Sequence, residues 1–279
     1  MTIAPEKLCD HMAVAVTGLD LNRPADAATQ AALREALNRN LVLCIRGQSL
    51  KPPAFLDAMT RFGTPILRKQ LAHTEECAEV NIISSEDRDV LGDGKKLVNG
   101  ASWHTDDSFM REPCSLTMLY GVAVPSRGGD TQFVNMHAAY DALSPEMKAR
   151  IDGLKVIHKY QSSRQTNRVS KRPAGEMKAM PEATHPLVRT HPETGRKALY
   201  LNANRMEQIA GMERAESDAL LDQLIAHAIE PRFQYRHVWQ QGDIVIWDNR
   251  ATMHKANADY PEGERRLMHR VIVAGTAPY

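Results

Sequence analysis

Two short segments, far apart in the chain, carry side chains that could bind one metal ion. His104-Thr105-Asp106 supplies an imidazole and a carboxylate two residues apart, and His254 follows 150 positions after His104. Two histidines and one carboxylate form the facial-triad iron site, which leaves coordination positions open on the metal. If these residues act together, the fold must bring the middle of the chain against its C-terminal part.

Local sequence patterns indicate how each ligand could be presented. An extended segment over residues 103–109 would point His104 and Asp106 to the same side. His254 follows the apolar run 244–247 and a polar turn, which predicts a buried strand delivering a ligand at its end. A His-X-Asp triplet also arises by chance, so the alternative is that His104 caps or packs and Asp106 forms a turn.

A basic cluster near the C-terminus lies within a predicted strand. Arg266 and Arg270 share one face of that strand, and residues 271–273, which follow them, are all apolar. A buried guanidinium needs an anion, and arginine binds carboxylates through two parallel hydrogen bonds. The pattern predicts one or two bound carboxylate-bearing small molecules. The alternative is that both arginines pair with protein carboxylates or lie in solvent.

The chain is predicted to contain many short strands and fewer helices. Helices are expected over 27–37, with Asp26 as the N-cap, and over 54–62, 139–151 and 215–228. Strands are expected over 41–45, 80–83, 116–124, 131–134, 154–158, 198–201, 233–238, 243–247 and 267–273. This order indicates an α+β, mainly β fold with a double-stranded β-helix (jelly-roll) core and flanking helices. We expect residues 1–279 to form one domain, since β-barrels and sandwiches of this length commonly do.

Composition excludes several classes of partner. A net charge of +1 and a pI near 7.8 give no bias toward polyanions, which argues against nucleic acid or a membrane surface. No apolar run approaches the roughly 18 residues of a spanning helix, and residues 1–6 lack a secretory signal pattern. A cytoplasmic location is therefore expected. The four cysteines lack CxxC spacing, so they are expected to stay reduced.

Two polar segments are candidates for movement near a site. Residues 84–100 lead directly into His104, which indicates an active-site lid. Residues 161–180 contain five basic residues and one acidic residue, which predicts a basic insertion over an anionic substrate. A solvated loop or a subunit contact is the alternative reading of this insertion.

Several ordered motifs together resemble the taurine dioxygenase/2,4-dichlorophenoxyacetate dioxygenase (TauD/TfdA) family. The blocks that carry the resemblance are residues 103–109, Gly128-Gly129-Asp130-Thr131, residues 185–192, Trp247-Asp248-Asn249-Arg250 with residues 251–254, and residues 265–270. The similarity runs from about residue 10 to the C-terminus. It implies Fe(II) as cofactor, with 2-oxoglutarate and O2 as cosubstrates, and makes a homo-dimer or homo-tetramer the expected assembly.

The resemblance also assigns roles to individual residues. It implies that His104, Asp106 and His254 bind the iron, and that Thr131 and Arg266 hold the distal carboxylate of 2-oxoglutarate. Arg270 would lie near the iron, where the family places an anionic group of the substrate. The implied reaction hydroxylates a small anionic organic substrate, such as a carboxylate or sulfonate, with release of succinate and CO2.

Departures from the family concern the substrate pocket. Arg68, Gly100 and Asp107 fall where taurine dioxygenase has a sulfonate-binding histidine, an asparagine and a small apolar residue. Arg205 roughly replaces a pocket phenylalanine, and Tyr160 is placed to line the cavity or the core. These changes make taurine a doubtful substrate and predict a strongly anionic one. The alternative is that Arg68 or Arg205 pairs with Asp107 or another carboxylate.

Three classes of function are consistent with these residues. The first is the iron- and 2-oxoglutarate-dependent dioxygenase. The second is a catalytically inactive sensor that binds 2-oxoglutarate or another anion, which an intact triad and Arg266 oppose. The third is a non-iron metal hydrolase, because zinc also accepts histidine and carboxylate ligands. Hydrolysis gives no reason for Thr131 and Arg266.

Overall fold

Strands dominate the computed structural model, which describes residues 3–68, 71–85, 100–165 and 180–279. The strands are β1 Glu6–Lys7, β2 Val14–Val16, β3 Val42–Ile45, β4 Asn81–Ser84, β5 Leu116–Ala123, β6 Thr131–Asn135, β7 Lys155–Lys159, β8 Glu182–Pro186, β9 Val188–Thr190, β10 Lys197–Leu199, β11 Met206–Ile209, β12 Gln234–His237, β13 Ile244–Asp248, β14 Thr252–Ala256 and β15 Leu267–Val273. The helices are α1 Ala27–Asn40, α2 Pro52–Thr60, α3 Met136–Asp141, α4 Pro145–Ile151 and α5 Arg214–Ala228, with a 3-10 turn at Pro231–Phe233. The predicted mainly β content is therefore confirmed.

The strands form one large sheet and three small ones. The large sheet has the order β1-β2-β3-β13-β5-β15-β4, and only β2 and β3 pair in parallel. A second sheet, β12-β6-β14, is antiparallel throughout. The other two sheets are β11-β7-β8 and β10-β9. In the large sheet, four of the six neighbouring pairs join segments more than 100 residues apart in the sequence.

Alternation along β13 shows how the large sheet separates two cores. Ile244 and Ile246 pack in a cluster with Leu37 of α1 and Phe55 of α2. Val245 and Trp247 point to the opposite face and join a cluster that includes Phe133 of β6. Side chains two apart share a face of a strand. Helices α1 and α2 therefore cover one face of the large sheet, and the β12-β6-β14 sheet covers part of the other.

Helix ends follow the capping residues in the sequence. Asp26 accepts a hydrogen bond from the Thr29 backbone N–H at the start of α1, as predicted. The single helix predicted over 139–151 is wrong, because α3 ends at Asp141 and α4 begins at Pro145. Ser144 caps α4, and proline favours the first turn of a helix but disrupts its interior.

Two expectations about the metal-binding segments also need correction. Residues 103–109 are not extended throughout, since His104 makes an isolated bridge and a turn begins at Asp106. His254 does not lie at the end of β13. It lies in the middle of the separate strand β14, which follows after a turn at residues 249–251.

Parts of the predicted mobile segments fall beyond what the structure describes. Within the expected lid at 84–100, residues 86–99 lie outside the described residues, as do residues 166–179 of the basic insertion at 161–180. Among the described helices, none has the length and apolar composition required to span a membrane.

Candidate active site

A backbone bridge brings the two candidate histidine ligands together. His104 and His254 exchange backbone hydrogen bonds, with N···O distances of 3.0 and 2.7 Å. Residues opposed in this way project their side chains to the same side. The two imidazole ring centroids are consequently 4.1 Å apart. The 150-residue separation is closed by one antiparallel contact between the turn segment and β14.

The donor atoms of the predicted triad converge on one point. Asp106 Oδ1 lies 3.6 Å from His104 Nε2 and 3.8 Å from His254 Nε2. Cis ligands of one ion lie about 3 Å apart when each is about 2.1 Å from it, so a small inward movement is enough. His104 Nδ1 is 2.7 Å from the carbonyl oxygen of Ser102. Its N–H must donate there, which leaves Nε2 unprotonated and able to bind a metal.

A chain of hydrogen bonds orients Asp106. Trp247 Nε1 donates to Asn249 Oδ1 at 3.1 Å, and Asn249 Nδ2 donates to Thr117 Oγ1 at 2.8 Å. Thr117 in turn donates its hydroxyl proton to Asp106 Oδ2 at 2.6 Å. One carboxylate oxygen is thereby used, and the other faces the histidines. The sequence did not predict a role for Thr117, because no local motif distinguishes it from the other residues of its apolar strand.

The protonation states suit a metal ligand set. Burial favours a raised pKa for Asp106, but electrostatic interactions with His254, His104 and Arg270 and the Thr117 hydrogen bond outweigh it and lower the pKa to about 2. Burial, together with His104 and Arg270, lowers the pKa of His254 to about 3. Near neutral pH the site therefore contains a carboxylate and a neutral imidazole, the forms that bind divalent metals.

An open cavity of about 540 Å³ is lined by all three residues of the triad. Arg266 and Thr131 also line it. Arg266 Nε donates to the Gly129 carbonyl oxygen at 3.0 Å, and Thr131 Oγ1 accepts from Trp239 Nε1 at 3.1 Å. The Arg266 side chain is buried, its pKa is lowered mainly by that burial, and no carboxylate among the described residues forms an ion pair with it. This guanidinium is free to bind an anion.

Arg270 lines the same cavity on β15, between Leu119 of β5 and Asn81 of β4 in the sheet register. The described part of the chain offers it no salt-bridge partner, and its Nε has no hydrogen-bond partner. Asn81 is 1% exposed, and neither of its side-chain polar atoms has a partner. A buried polar atom without a partner costs about 1–3 kcal/mol. The Arg270 side chain therefore offers a donor without a partner among the described residues to a polar ligand in the cavity.

The remaining predicted substrate residues occupy different positions. Gly100 lines the cavity with φ of +79°, and a Cβ there would lie 3.1 Å from His104 Cε1. Arg68 and Asp107 form an ion pair with each other, which was the alternative for Arg68. Arg205 stacks on Tyr160, with 4.5 Å between its Cζ and the ring centroid. Of these five residues, only Gly100 is among those that line the cavity.

A second group of possible metal ligands has a different explanation. Cys44, His237 and Asp243 are fully buried and close together. Asp243 Oδ2 already accepts hydrogen bonds from Arg46 at 2.7 Å and from His237. Burial, reinforced by the charge of Asp243, raises the pKa of Cys44 to about 12. The thiol stays protonated and a guanidinium balances the carboxylate, so this group does not favour a cation.

Comparison with known proteins gives consistent matches. The family model for the taurine catabolism dioxygenase TauD, TfdA family matches residues 5–272. The alpha-ketoglutarate-dependent 2,4-dichlorophenoxyacetate dioxygenase of Cupriavidus pinatubonensis is 31% identical, covering 99% of this chain and 99% of that protein. A taurine dioxygenase from Burkholderia xenovorans matches with a TM-score of 0.84 and 33% identity, over 99% of this chain and 92% of that one. AAD-2, solved in complex with Mn(II) and N-oxalylglycine, matches with a TM-score of 0.84 and 33% identity, over 100% and 99% of the two chains.

The similarity covers nearly all of this chain and is not confined to the metal-binding motifs. It confirms the resemblance that the ordered sequence blocks indicated. The chain therefore belongs to the taurine catabolism dioxygenase TauD, TfdA family, and so to the oxidoreductases that use Fe(II), 2-oxoglutarate and oxygen.

Proposed function

We propose that this protein hydroxylates a small anionic organic substrate. One oxygen atom enters a substrate C–H bond, and the other enters succinate as 2-oxoglutarate loses CO2. The observation that carries the proposal is the coexistence in one cavity of three convergent metal donors and two arginines that form no ion pair with the described residues. A metal hydrolase needs convergent metal donors, but its reaction does not require the two arginines.

His104, Asp106 and His254 are the proposed iron ligands. The donor set fits the metal because it combines two imidazole nitrogen donors with one carboxylate oxygen and leaves other coordination positions open. When bound, iron supplies the redox chemistry that activates oxygen. The protein holds His104 through Ser102 and Asp106 through Thr117, so both ligands are oriented before the metal arrives.

Arg266 and Thr131 are the proposed binding site for the distal carboxylate of 2-oxoglutarate. Arg266 uses Nε for the Gly129 carbonyl oxygen, so its two terminal nitrogens remain available for a carboxylate. AAD-2 is informative because N-oxalylglycine has the two carboxylates and the chain length of 2-oxoglutarate. We propose that this chain holds 2-oxoglutarate between Arg266 and the metal.

Arg270 is the proposed anchor for the anionic group of the substrate. It lines the same cavity as Asp106, and its charge contributes to the lowered pKa of that carboxyl group. Asn81 is its neighbour in the sheet register. The Cupriavidus relative is named for a substrate with a carboxylate. Gly100 would leave space beside His104. The proposed roles of Arg68, Asp107, Tyr160 and Arg205 at the substrate remain predictions.

The fold-level proposals follow from the same arrangement. We infer that the large sheet and the β12-β6-β14 sheet are the two faces of a double-stranded β-helix with the cavity between them. The support is that ligands come from both sides: Arg270 and Thr117 from the large sheet, and His254 and Thr131 from the smaller one. A single domain over residues 1–279, a cytoplasmic location and a homo-dimer or homo-tetramer stay predictions.

The test is oxygen-dependent succinate formation. Purified protein with Fe(II) and 2-oxoglutarate is screened against a panel of carboxylates, sulfonates and sulfate esters, and His104→Ala serves as the blank. We expect at least one anion to accelerate succinate release in the wild type and none in the variant. Metal-dependent hydrolysis of an ester in the absence of oxygen would support the hydrolase instead. Binding of 2-oxoglutarate without any succinate would support the sensor.

A further inference from the structure

Trp239 makes a buried hydrogen bond that the proposed function does not explain. It lies in the connection between β12 and β13, and its indole Nε1 donates to Thr131 Oγ1 at 3.1 Å. Both residues are buried, with exposures of 6% and 3%. Trp239 does not line the cavity, so it acts on a ligand only through Thr131.

The direction of this hydrogen bond has a consequence for Thr131. An indole N–H can only donate, so the Thr131 oxygen must accept. The hydroxyl makes no other hydrogen bond with the residues that the structure describes, and its proton is therefore left for the cavity. An ionised carboxylate accepts hydrogen bonds and has none to donate. The hydrogen bond from Trp239 thus makes the Thr131 hydroxyl a donor toward the cavity, which is the role that a carboxylate ligand requires.

The indole is held firmly enough to perform this task. The ring of His237 lies 4.8 Å from the Trp239 ring in an edge-on arrangement, and His237 is hydrogen-bonded to Asp243 at 3.1 Å. Asp243 also accepts from the Gln240 backbone N–H and from Arg46. This accounts for the buried Cys44, His237 and Asp243 group without a metal: it anchors the segment that carries Trp239.

Gly121 leaves the space that the indole occupies. A Cβ at Gly121 would lie 3.3 Å from Trp239 Cε3 and 3.4 Å from the Gln240 carbonyl oxygen. The neighbouring strand therefore approaches the ring closely on that side. Together with the His237 contact, this restricts rotation of the indole away from Thr131.

We propose that Trp239 is a positioning residue that gives the site its preference for a 2-oxo acid with a second carboxylate. By donating to Thr131, it makes the Thr131 hydroxyl a donor to the distal carboxylate, beside the guanidinium of Arg266. The inference rests on the proposed binding of 2-oxoglutarate by Thr131 and Arg266. Loss of the indole N–H frees the hydroxyl to rotate, and binding of the distal carboxylate weakens.

The test compares two ligands by calorimetric titration of Mn(II)-loaded protein without oxygen. The ligands are 2-oxoglutarate and 2-oxopentanoate, which has a methyl group in place of the distal carboxylate. We expect Trp239→Phe to weaken 2-oxoglutarate binding about tenfold, the scale of one hydrogen bond to a charged group. Binding of 2-oxopentanoate should stay within a factor of two.

A thermodynamic cycle separates positioning from general damage. Thr131→Val should also weaken 2-oxoglutarate binding, and adding Trp239→Phe to it should cause no further loss. Tyr140→Phe is the control, because it removes a polar group from an aromatic ring on α3 that contacts Lys148 and does not line the cavity; it should bind both ligands as the wild type does. An equal loss from Trp239→Phe with and without Thr131 overturns the inference, as does an equal loss for both ligands.

A second measurement keeps the test valid if Trp239→Phe does not fold. In zinc-loaded wild-type protein, the Trp239 indole N–H resonance should shift when 2-oxoglutarate binds and stay in place with 2-oxopentanoate. Thr131→Val should abolish the shift. A resonance that does not respond to bound 2-oxoglutarate overturns the inference, whereas failure of the wild type to bind 2-oxoglutarate overturns the proposed function itself.

Discussion

Thr117 is the residue through which the protein core reaches Asp106. Its hydroxyl accepts from Asn249 and donates to Asp106, so the direction of both hydrogen bonds is determined. Partners of this kind hold a ligand in the orientation that the metal requires, and their loss commonly weakens metal binding. A side chain that touches no metal can therefore control the affinity of the site.

Replacing Thr117 should weaken metal binding without changing the shape of the site. Thr117→Val is close in volume but removes the hydroxyl, so Asp106 loses its partner. We expect the dissociation constant for Mn(II) to rise about tenfold, measured by calorimetric titration of metal-free protein. Thr117→Ser retains the hydroxyl and should stay within a factor of three. Equal affinities in the valine variant and the wild type would show that Asp106 is held by other contacts.

Arg270, the proposed anchor for the substrate anion, is expected to lower the stability of the protein when no substrate is bound. Its guanidinium lies against the cavity with an unpartnered Nε and without an ion pair in the described part of the chain. In the Mn(II)-loaded protein without substrate, Arg270→Met should raise the free energy of unfolding by about 1 kcal/mol. Urea titration measures the change, and Arg127→Met at an exposed position should alter it by less than about 0.5 kcal/mol. Destabilisation by Arg270→Met would mean that the charge is already compensated.

At the scale of elements, the connection between β5 and β6 contacts Arg266, which lines the cavity. Gly128 and Gly129 both have positive φ, +69° and +68°. A Cβ at Gly128 would lie 2.5 Å from the Asp259 backbone oxygen, and one at Gly129 would lie 3.2 Å from Arg266 Cδ. The Gly129 carbonyl oxygen also accepts from Arg266. This turn therefore places the guanidinium as well as reversing the chain.

Gly128→Ala should damage both stability and cosubstrate binding. Gly153→Ala is the matched control, because Gly153 has φ of +71° but open space around its Cβ position. We expect a loss of about 1 kcal/mol in unfolding free energy for Gly153→Ala from backbone strain alone, and at least about 2 kcal/mol for Gly128→Ala. Only Gly128→Ala should weaken 2-oxoglutarate binding. Equal effects of the two variants in urea titration and calorimetry would refute a role for the close contact.

For the whole molecule, buried histidines determine how stability responds to acid. His158 is fully buried, and burial, with a smaller contribution from His185, lowers its pKa to about 3. Burial also lowers the pKa of His137 to about 4. The unfolded chain binds protons at these residues near pH 6.5, while the folded protein does not. Their contribution is therefore present above pH 6.5 and is lost as the pH falls toward 3 to 4.

Urea unfolding at pH 7.5 and pH 5 measures this effect. For metal-free protein we expect each of the two histidines to remove about 2 kcal/mol of stability at pH 5, which is about 1.5 pH units below 6.5. His158→Gln should reduce the acid-induced loss by about that amount. His73→Gln, at an exposed position, should leave the loss unchanged. An unchanged loss in His158→Gln would show that His158 is protonated in the folded protein at pH 5.

The candidate metal ligands and most elements could be predicted from the linear sequence. His104, Asp106 and His254 converge as expected, and α1 starts at its predicted cap, because ligand chemistry and capping depend on residue type and local spacing. Short strands were less predictable. β14, which carries His254, was not predicted, because its stability comes from pairing with β6 across the fold.

Contacts between distant residues required the tertiary structure. The sequence could not tell whether Arg68 faces a substrate or pairs with Asp107, since both outcomes use the same residues and differ only in which side chains meet. Thr117 and Trp239 carried no local signal, because a hydroxyl and an indole acquire their roles from their hydrogen-bond partners. Residue type determined which chemistry is available to this chain. The folded arrangement decided which donors and acceptors face each other, because hydrogen bonding depends on distance and direction rather than on order in the sequence.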